Sequence, residues 1–279
     1  MKRFGFFTGT LFLSMGFTLR TQNILGEIMN HINCSFRLSA VLIALLTLTI
    51  LPARSQVNMK LGGGIGIVSP TSDFSGSTID YYNGSNYGLV SGLTIHGKTK
   101  IGLSGLNIVG EIDYASLQNT GNSGPGRGLV NISQNIISLK VGPEFHLTIP
   151  IIPITPYIGA NIAMNRFSGE TTFRGVSKVP SATYSVTDAT RFGVGFSAGS
   201  EVSIGHLLSF DFNFSYNFMN VAGKEWNNVN PETNQRIDSY LSLNDGIDPQ
   251  YTTGDENHFI VSTRNINSVL VTVSILFGV

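Results

Sequence analysis

The stretch that decides the fold is Leu208-Ser-Phe-Asp-Phe-Asn-Phe-Ser-Tyr-Asn-Phe218. Leu208, Phe210, Phe212, Phe214, Tyr216 and Phe218 fall on one face, and Ser209, Asp211, Asn213, Ser215 and Asn217 on the other. Alternation with period two is the mark of a β-strand, because successive side chains point to opposite sides of the sheet. The design recurs at Phe192, Val194, Phe196, Ala198, Val202 and Ile204. It returns at Val269, Val271, Val273, Ile275, Phe277 and Val279. Working outward, the pattern predicts strands near 57–68, 85–97, 106–117, 132–149, 156–167, 189–204, 208–221 and 266–279.

Composition narrows the setting. Hydrophobic residues make up 42% of the 279 residues, but Asp, Glu, Lys and Arg only 12%. A soluble domain carries about 25% charged residues. After residue 55 no run approaches the roughly 20 apolar residues of a helical span. The apolar content is therefore spread over strands, and most predicted strands suit the 9–11 residues that cross a bilayer when tilted.

Connections between strands alternate. The turns near 98–105, 150–155 and 205–207 are short, whereas 69–84, 118–131, 168–188 and 222–265 are long and polar. Short turns at one end and long loops at the other describe an all-β, eight-stranded, antiparallel, up-and-down transmembrane β-barrel. A soluble sandwich or lipocalin-like barrel is the competing fold. Tyr87, Tyr114, Phe145, Tyr157, Phe167, Phe192 and Phe218 lie towards predicted strand ends, where an interfacial girdle belongs.

The amino end reads as an export signal. Arg37 precedes an apolar core, Leu38 to Leu51, and Pro52-Ala-Arg-Ser55 follows with small residues. Cleavage is expected after Ser55, with 29–55 as the signal peptide, 1–28 as an over-extended start and 56–279 as the barrel domain. A retained amino-terminal anchor is the alternative. Cys34, the single cysteine, precedes the apolar core, so lipid attachment is not expected. Residues 1–55 carry five basic and one acidic residue, leaving 12 basic and 16 acidic and a net charge of −4. That balance argues against nucleic acid as a partner.

At this point the chain resembles the small outer-membrane β-barrel proteins, the OmpA/OmpX-like and porin-like barrels. The resemblance rests on Lys140-Val-Gly-Pro-Glu-Phe-His-Leu147, Pro156-Tyr-Ile-Gly-Ala160 and the closing Ser274-Ile-Leu-Phe-Gly-Val279, and spans roughly 57–279. It implies an outer-membrane location, with lipid and the barrel assembly machinery as partners. It also implies a carboxyl-terminal aromatic assembly signal, here Phe277, third from the end rather than last.

Chemistry concentrates on the polar face. Lys60, Glu111, Asp113, Lys140, Glu144, Arg191, Glu201 and Asp211 are expected inside the barrel as a charge network. Eight strands enclose a space just wide enough for side chains to fill, so a salt-bridged plug is the leading reading. A narrow pore is the alternative, and five acidic against three basic residues would make it cation-preferring. The loop 222–265 is a solvated candidate for an extracellular ligand. Its Asn244-Asp-Gly-Ile-Asp248 has oxygen ligands that suit calcium but lacks EF-hand spacing. Trp226 and Tyr240 are candidate partner contacts, a girdle or a loop core. His96, His146 and His206 lie near the short-turn end, and His258 has Asp255 and Ser262 nearby. Neither these nor the Gly-rich 59–66 forms a catalytic or phosphate-binding set. No enzyme, cofactor or metal is expected; a lipid-modifying enzyme is the distant alternative.

Overall fold

The computed structural model describes residues 58–103, 105–125, 127–147, 153–205, 207–227 and 235–278. The expected over-extended start at 1–28, the expected signal peptide at 29–55, Cys34, Val57, His206, Glu232 and Val279 lie outside the described residues. Eight antiparallel strands close in sequence order: β1 (Asn58–Thr71), β2 (Gly92–Leu103), β3 (Leu106–Asn122), β4 (Leu129–His146), β5 (Ile154–Arg174), β6 (Ala182–Ile204), β7 (Leu208–Ala222) and β8 (Asn267–Gly278). The seam is the β1–β8 pair, which runs from Lys60 opposite Gly278 to Thr71 opposite Asn267. Closure leaves no sheet edge within the ring, which is what a strand needs where lipid cannot satisfy its backbone.

Each strand sends its apolar face outward. Ile65, Leu93, Ile158, Ile162, Phe196, Phe212 and Phe214 are exposed, and their inward neighbours are polar, glycine or alanine. Four of the seven predicted girdle aromatics, Tyr114, Phe145, Phe192 and Phe218, face out. Tyr87, Tyr157 and Phe167 are buried instead. Tyr157 and Phe167 share the inward parity of Asn165 on β5, so position along a strand misled where parity decides.

Several boundaries shift. The second strand begins at Gly92 rather than 85 and continues to Leu103, through the segment expected to turn at 98–105. Its Lys-Thr-Lys looks like a turn, but both lysines point into the lumen. The expected loops at 118–131 and 168–188 are largely strand: Asn122 pairs with Leu129, and Phe173 with Ala182. At about 3.3 Å per residue, the 23 residues of β6 span about 75 Å, far more than a tilted crossing requires. In contrast, β2 reaches only Ser116 of β3, and β7 stops beside Phe192 of β6. The barrel therefore stands taller on its β3–β6 side.

Ile162, outward on β5 and opposite Val141 and Val194, samples the lipid belt. Ile162→Arg is expected to lower stability by about 2–4 kcal/mol, read by denaturant titration in lipid vesicles. A loss under about 1 kcal/mol would place this face outside the bilayer.

Candidate functional site

The register builds a charge ladder inside the barrel. Lys98 on β2 lies opposite Glu111 on β3, and Glu111 lies opposite Lys140 on β4. Lys98 and Lys140 each approach Glu111 to 3.4 Å, and Lys140 also reaches Asp113 at 2.5 Å. On the facing wall Glu201 and Asp211 are cross-strand neighbours of like charge, an arrangement that is destabilising by itself. Lysines crossing the lumen offset it. Lys60 pairs with Glu201, and Lys98 and Lys100 reach Asp211 at 2.9 and 3.2 Å. Lys100 also lies 2.8 Å from Glu144.

An aromatic crossbar completes the set. The Tyr157 hydroxyl donates to Asp211 at 2.5 Å and accepts from Asn213 Nδ2 at 2.9 Å. Its ring lies 4.3 Å from the Lys100 ammonium and stacks on His146 at 5.0 Å, whose Nε2 is 3.2 Å from Glu144. Lys98 and Lys100 are 2% exposed and Asp211 not at all. Charges so thoroughly removed from water are tolerable only with several partners each. Glycine supplies the room: a Cβ at Gly199 would fall on the Tyr157 phenol, and one at Gly64 would come within 2.8 Å of His96 Cε1.

Seven of the eight residues expected in the lumen network sit in this cluster; Arg191 does not. It stands towards the outer mouth, where Asp245 takes its Nη2 at 2.8 Å and Glu225 its Nη1 at 3.1 Å. The sequence reading missed Lys98, Lys100, Tyr157 and His146. Thr94, His96, Lys98 and Lys100 continue one period-two face, and following it past residue 97 would have found both lysines. With them, five carboxylates meet four lysines, so the acidic excess behind a cation-preferring pore shrinks to one. Cavities among these side chains, of about 20 and 30 Å³, hold roughly one or two waters each.

A second closure lies above. The loop 72–91 carries helix α1 (Thr78–Tyr82), started by a capping box in which Ser77 and Asp80 exchange bonds. Those bonds hold the Asp80 carboxyl below its usual range. The loop 223–266 carries helix α2 (Gln235–Leu241). Phe74, Tyr87 and Leu89 from the first loop meet Ile237, Tyr240 and Leu243 from the second, over Ile136, Phe167 and Phe173 of the barrel wall. Arg236 lies between the rings of Tyr82 and Phe259, at 4.4 and 4.3 Å, and donates to the Tyr82 carbonyl. Tyr87 donates to the Leu243 carbonyl at 2.7 Å, and Tyr240 to that of Tyr82 at 2.6 Å.

The loop expected to be solvated at 222–265 is thus largely a folded cap. Tyr240 belongs to its core, while Trp226 is half-buried. The run 244–248 does not offer its oxygens to calcium: Asp245 is held by Arg191 and Asn220, and Asp248 by His258 Nδ1 at 2.8 Å. His258 therefore pairs with Asp248, not with Asp255 or Ser262. Among the described residues no cluster of three or more His, Cys, Asp or Glu is arranged to hold a metal.

The sequence pattern of the outer membrane protein beta-barrel domain matches residues 38–237. The chain belongs to that family. Its members reside in the outer membrane, which fits the apolar belt and the alternation of turns and loops. No curated protein matches the chain. Among solved structures it is similar to Neisserial surface protein A, at 13% identity and a TM-score of 0.44, covering 78% of this chain and 96% of that one. Ail of Yersinia pestis, solved with the heparin analogue sucrose octasulfate, gives 8% and 0.40 over 80% and 99%. OprG of Pseudomonas aeruginosa gives 10% and 0.40 over 81% and 97%. At that distance no residue role passes from one chain to another.

Asp211→Ala removes the buried carboxylate that Lys98 and Lys100 share and is expected to cost about 3–5 kcal/mol, whereas Tyr157→Phe, losing one hydroxyl, costs about 1–3 kcal/mol. Denaturant midpoints rank the two, and equal midpoints would remove Asp211 from the centre of the network. The cap answers to alkali. Burial pushes the Tyr81 hydroxyl up to about 12 and raises Tyr87 and Tyr240 as well. An opened loop releases these protons near pH 10, so cap stability is full below about 10 and falls as pH rises through 10 to 12. Tyrosinate absorbance in the folded protein should therefore lag that of the denatured chain, and coincident titrations would contradict the buried cap.

Proposed function

We propose that the protein is a closed outer-membrane barrel whose role is structural or interactive, exercised by the crown above the membrane. One observation carries the reading: the lumen is filled at two levels, by the lysine–carboxylate network within the wall and by the aromatic cap across the mouth. Solutes would have to break ion pairs among groups that are nearly fully buried, and then displace a packed core. Lipid would surround the apolar belt, and the barrel assembly machinery would insert the chain, with Phe277 as its signal. The protein on this reading catalyses no reaction.

A narrow, cation-preferring conduit is the second reading. Its support is the odd carboxylate of the network and the water-sized cavities beside it.

Planar bilayers separate the two. The folded protein, extracted from outer membranes, is expected to give no discrete conductance steps. Lys98→Ser with Lys100→Ser should give small cation-selective steps, because it leaves carboxylates unpaired in a widened lumen. Steps of that kind from the unaltered protein would overturn the closed barrel in favour of the conduit.

A further inference from the structure

Of the five carboxylates in the lumen network, Asp113 alone accepts no aligned hydrogen bond among the described residues. Its neighbours are engaged elsewhere. Ser138, opposite it on β4, donates to Asn165 at 2.7 Å. His96, opposite it on β2, is bonded to Ser274 at 2.7 Å. What does reach Asp113 is the Lys140 ammonium, 2.5 Å from Oδ2 but off the direction of a hydrogen bond. Lys140 stands opposite Glu111, so it meets Asp113 on the diagonal, within reach of a long side chain. Because Cγ is one bond from Oδ2, Nζ lies at most about 3.7 Å from it. That is near the separation of about 3–3.5 Å from which reacting atoms combine. Both residues are buried, Asp113 at 4% and Lys140 at 8% exposure.

We propose that Lys140 and Asp113 join in an isopeptide bond, which the folded barrel makes from its own side chains. One proton passes from Nζ to Asp113 and turns the ion pair into an amine and an acid. Removal from water favours that exchange, because both products are uncharged. The lone pair of the amine, a nucleophile once it is desolvated, attacks Cγ and forms the C–N bond. Glu111 Oε1, 3.4 Å from Nζ, takes a second proton from the nitrogen and gives it to the departing hydroxyl. The C–O bond breaks, one water leaves, and Glu111 ends as it began. Ammonium plus carboxylate thus becomes amide plus water, with no change of charge and no outside reagent. The water has a place to go. The cavity of about 20 Å³ beside Asp113 and Lys140 has room for one. Asn217, whose Oδ1 has no hydrogen-bond partner among the described residues, lines it together with Val68, Ala115 and Leu270.

The other lysines are placed differently. Lys98 makes an aligned bond to Asp211, which Tyr157 also holds. Lys60 is bonded to Glu201 and Ser209, and its side chain is 18% exposed, so water competes there. Lys100 is divided among Glu144, Glu201, Asp211 and the Tyr157 ring. Lys140 combines a buried amine, a carboxyl without hydrogen bonds and a second carboxylate to move protons. The bond suits a conduit as readily as a closed barrel, so it does not rest on the function proposed above.

Mass spectrometry of the full protein, extracted from outer membranes, tests the bond. The chain should weigh one water less than its sequence. Trypsin should fail to cut after Lys140 and should release 101–127 joined to 128–166, with fragments that place the branch at Asp113 and Lys140. Lys140→Arg should regain the water while the folded barrel keeps its heat-dependent gel mobility. After boiling, the linked chain should run ahead of that variant, because its unfolded form still holds a closed loop. Glu111→Gln keeps both reacting groups and should form the bond about a hundredfold more slowly, read as the linked fraction against time after refolding into lipid vesicles. A chain of full mass that trypsin cuts after Lys140 would overturn the proposal. So would a lost water that maps elsewhere, such as a succinimide at Asp245-Gly246. A bond that forms as fast in Glu111→Gln would overturn the proton relay. The unaltered chain decides the bond by itself, whether or not either variant folds.

Discussion

Lys98 and Lys100 leave β2 towards a wall that carries Glu201 and Asp211 side by side, and most of the interior follows from that crossing. Two adjacent carboxylates without water repel, and two adjacent ammonium groups do the same. Laid across eight strands, each pair removes the other's difficulty. Tyr157 adds a hydroxyl to Asp211 and a ring beneath Lys100, so that the carboxylate and the ammonium both gain a neutral neighbour. The inward glycines are the counterpart of this crowding, since long side chains from one wall need bare backbone on the other.

The same constraint explains why the barrel is filled by charge in one zone and by aromatic rings in another. Within the wall, inward positions alternate strictly with lipid-facing ones, and a polar inner face keeps the strands amphipathic. Above the membrane the wall no longer has lipid outside, so the rule relaxes. There Phe167 and Phe173 turn apolar surface inward, and the two long loops fold down upon it. Arg236 and Arg264, each resting on tyrosine or phenylalanine rings, carry charge into that core without a bulky hydration shell.

Period-two alternation made the ring of strands legible, because one face of a barrel strand must be apolar and the other not. It also located Lys60, Glu111, Asp113, Lys140, Glu144, Glu201 and Asp211, which are polar residues on that second face. Lys98 and Lys100 escaped because two lysines around a threonine resemble a turn, although they continue the face of Thr94 and His96 and stand opposite Glu111 and Val109 in a continuing strand. Arg191 was misassigned for the opposite reason: its parity is inward, but its height, which parity does not encode, places it beside Asp245. The cap was illegible. Its contacts join residues such as Tyr82 and Tyr240, 158 positions apart, in segments without periodicity.

Sequence separation within the lumen network has a kinetic side. Lys60 and Glu201 are 141 residues apart, and Lys98 and Asp211 are 113. Both pairs join the first two strands to the sixth or seventh, so neither can form in a partly built sheet, whereas Lys98 and Lys140 meet Glu111 as soon as β2, β3 and β4 align. Until the ring closes, Glu201 and Asp211 stand side by side without their lysines, and lipid rejects them. Neutralisation of that wall and ring closure must therefore happen together and late. Slow, cooperative insertion is the expected result of contacts so distant in the chain, and the open sheet has to stay wet until it can shut.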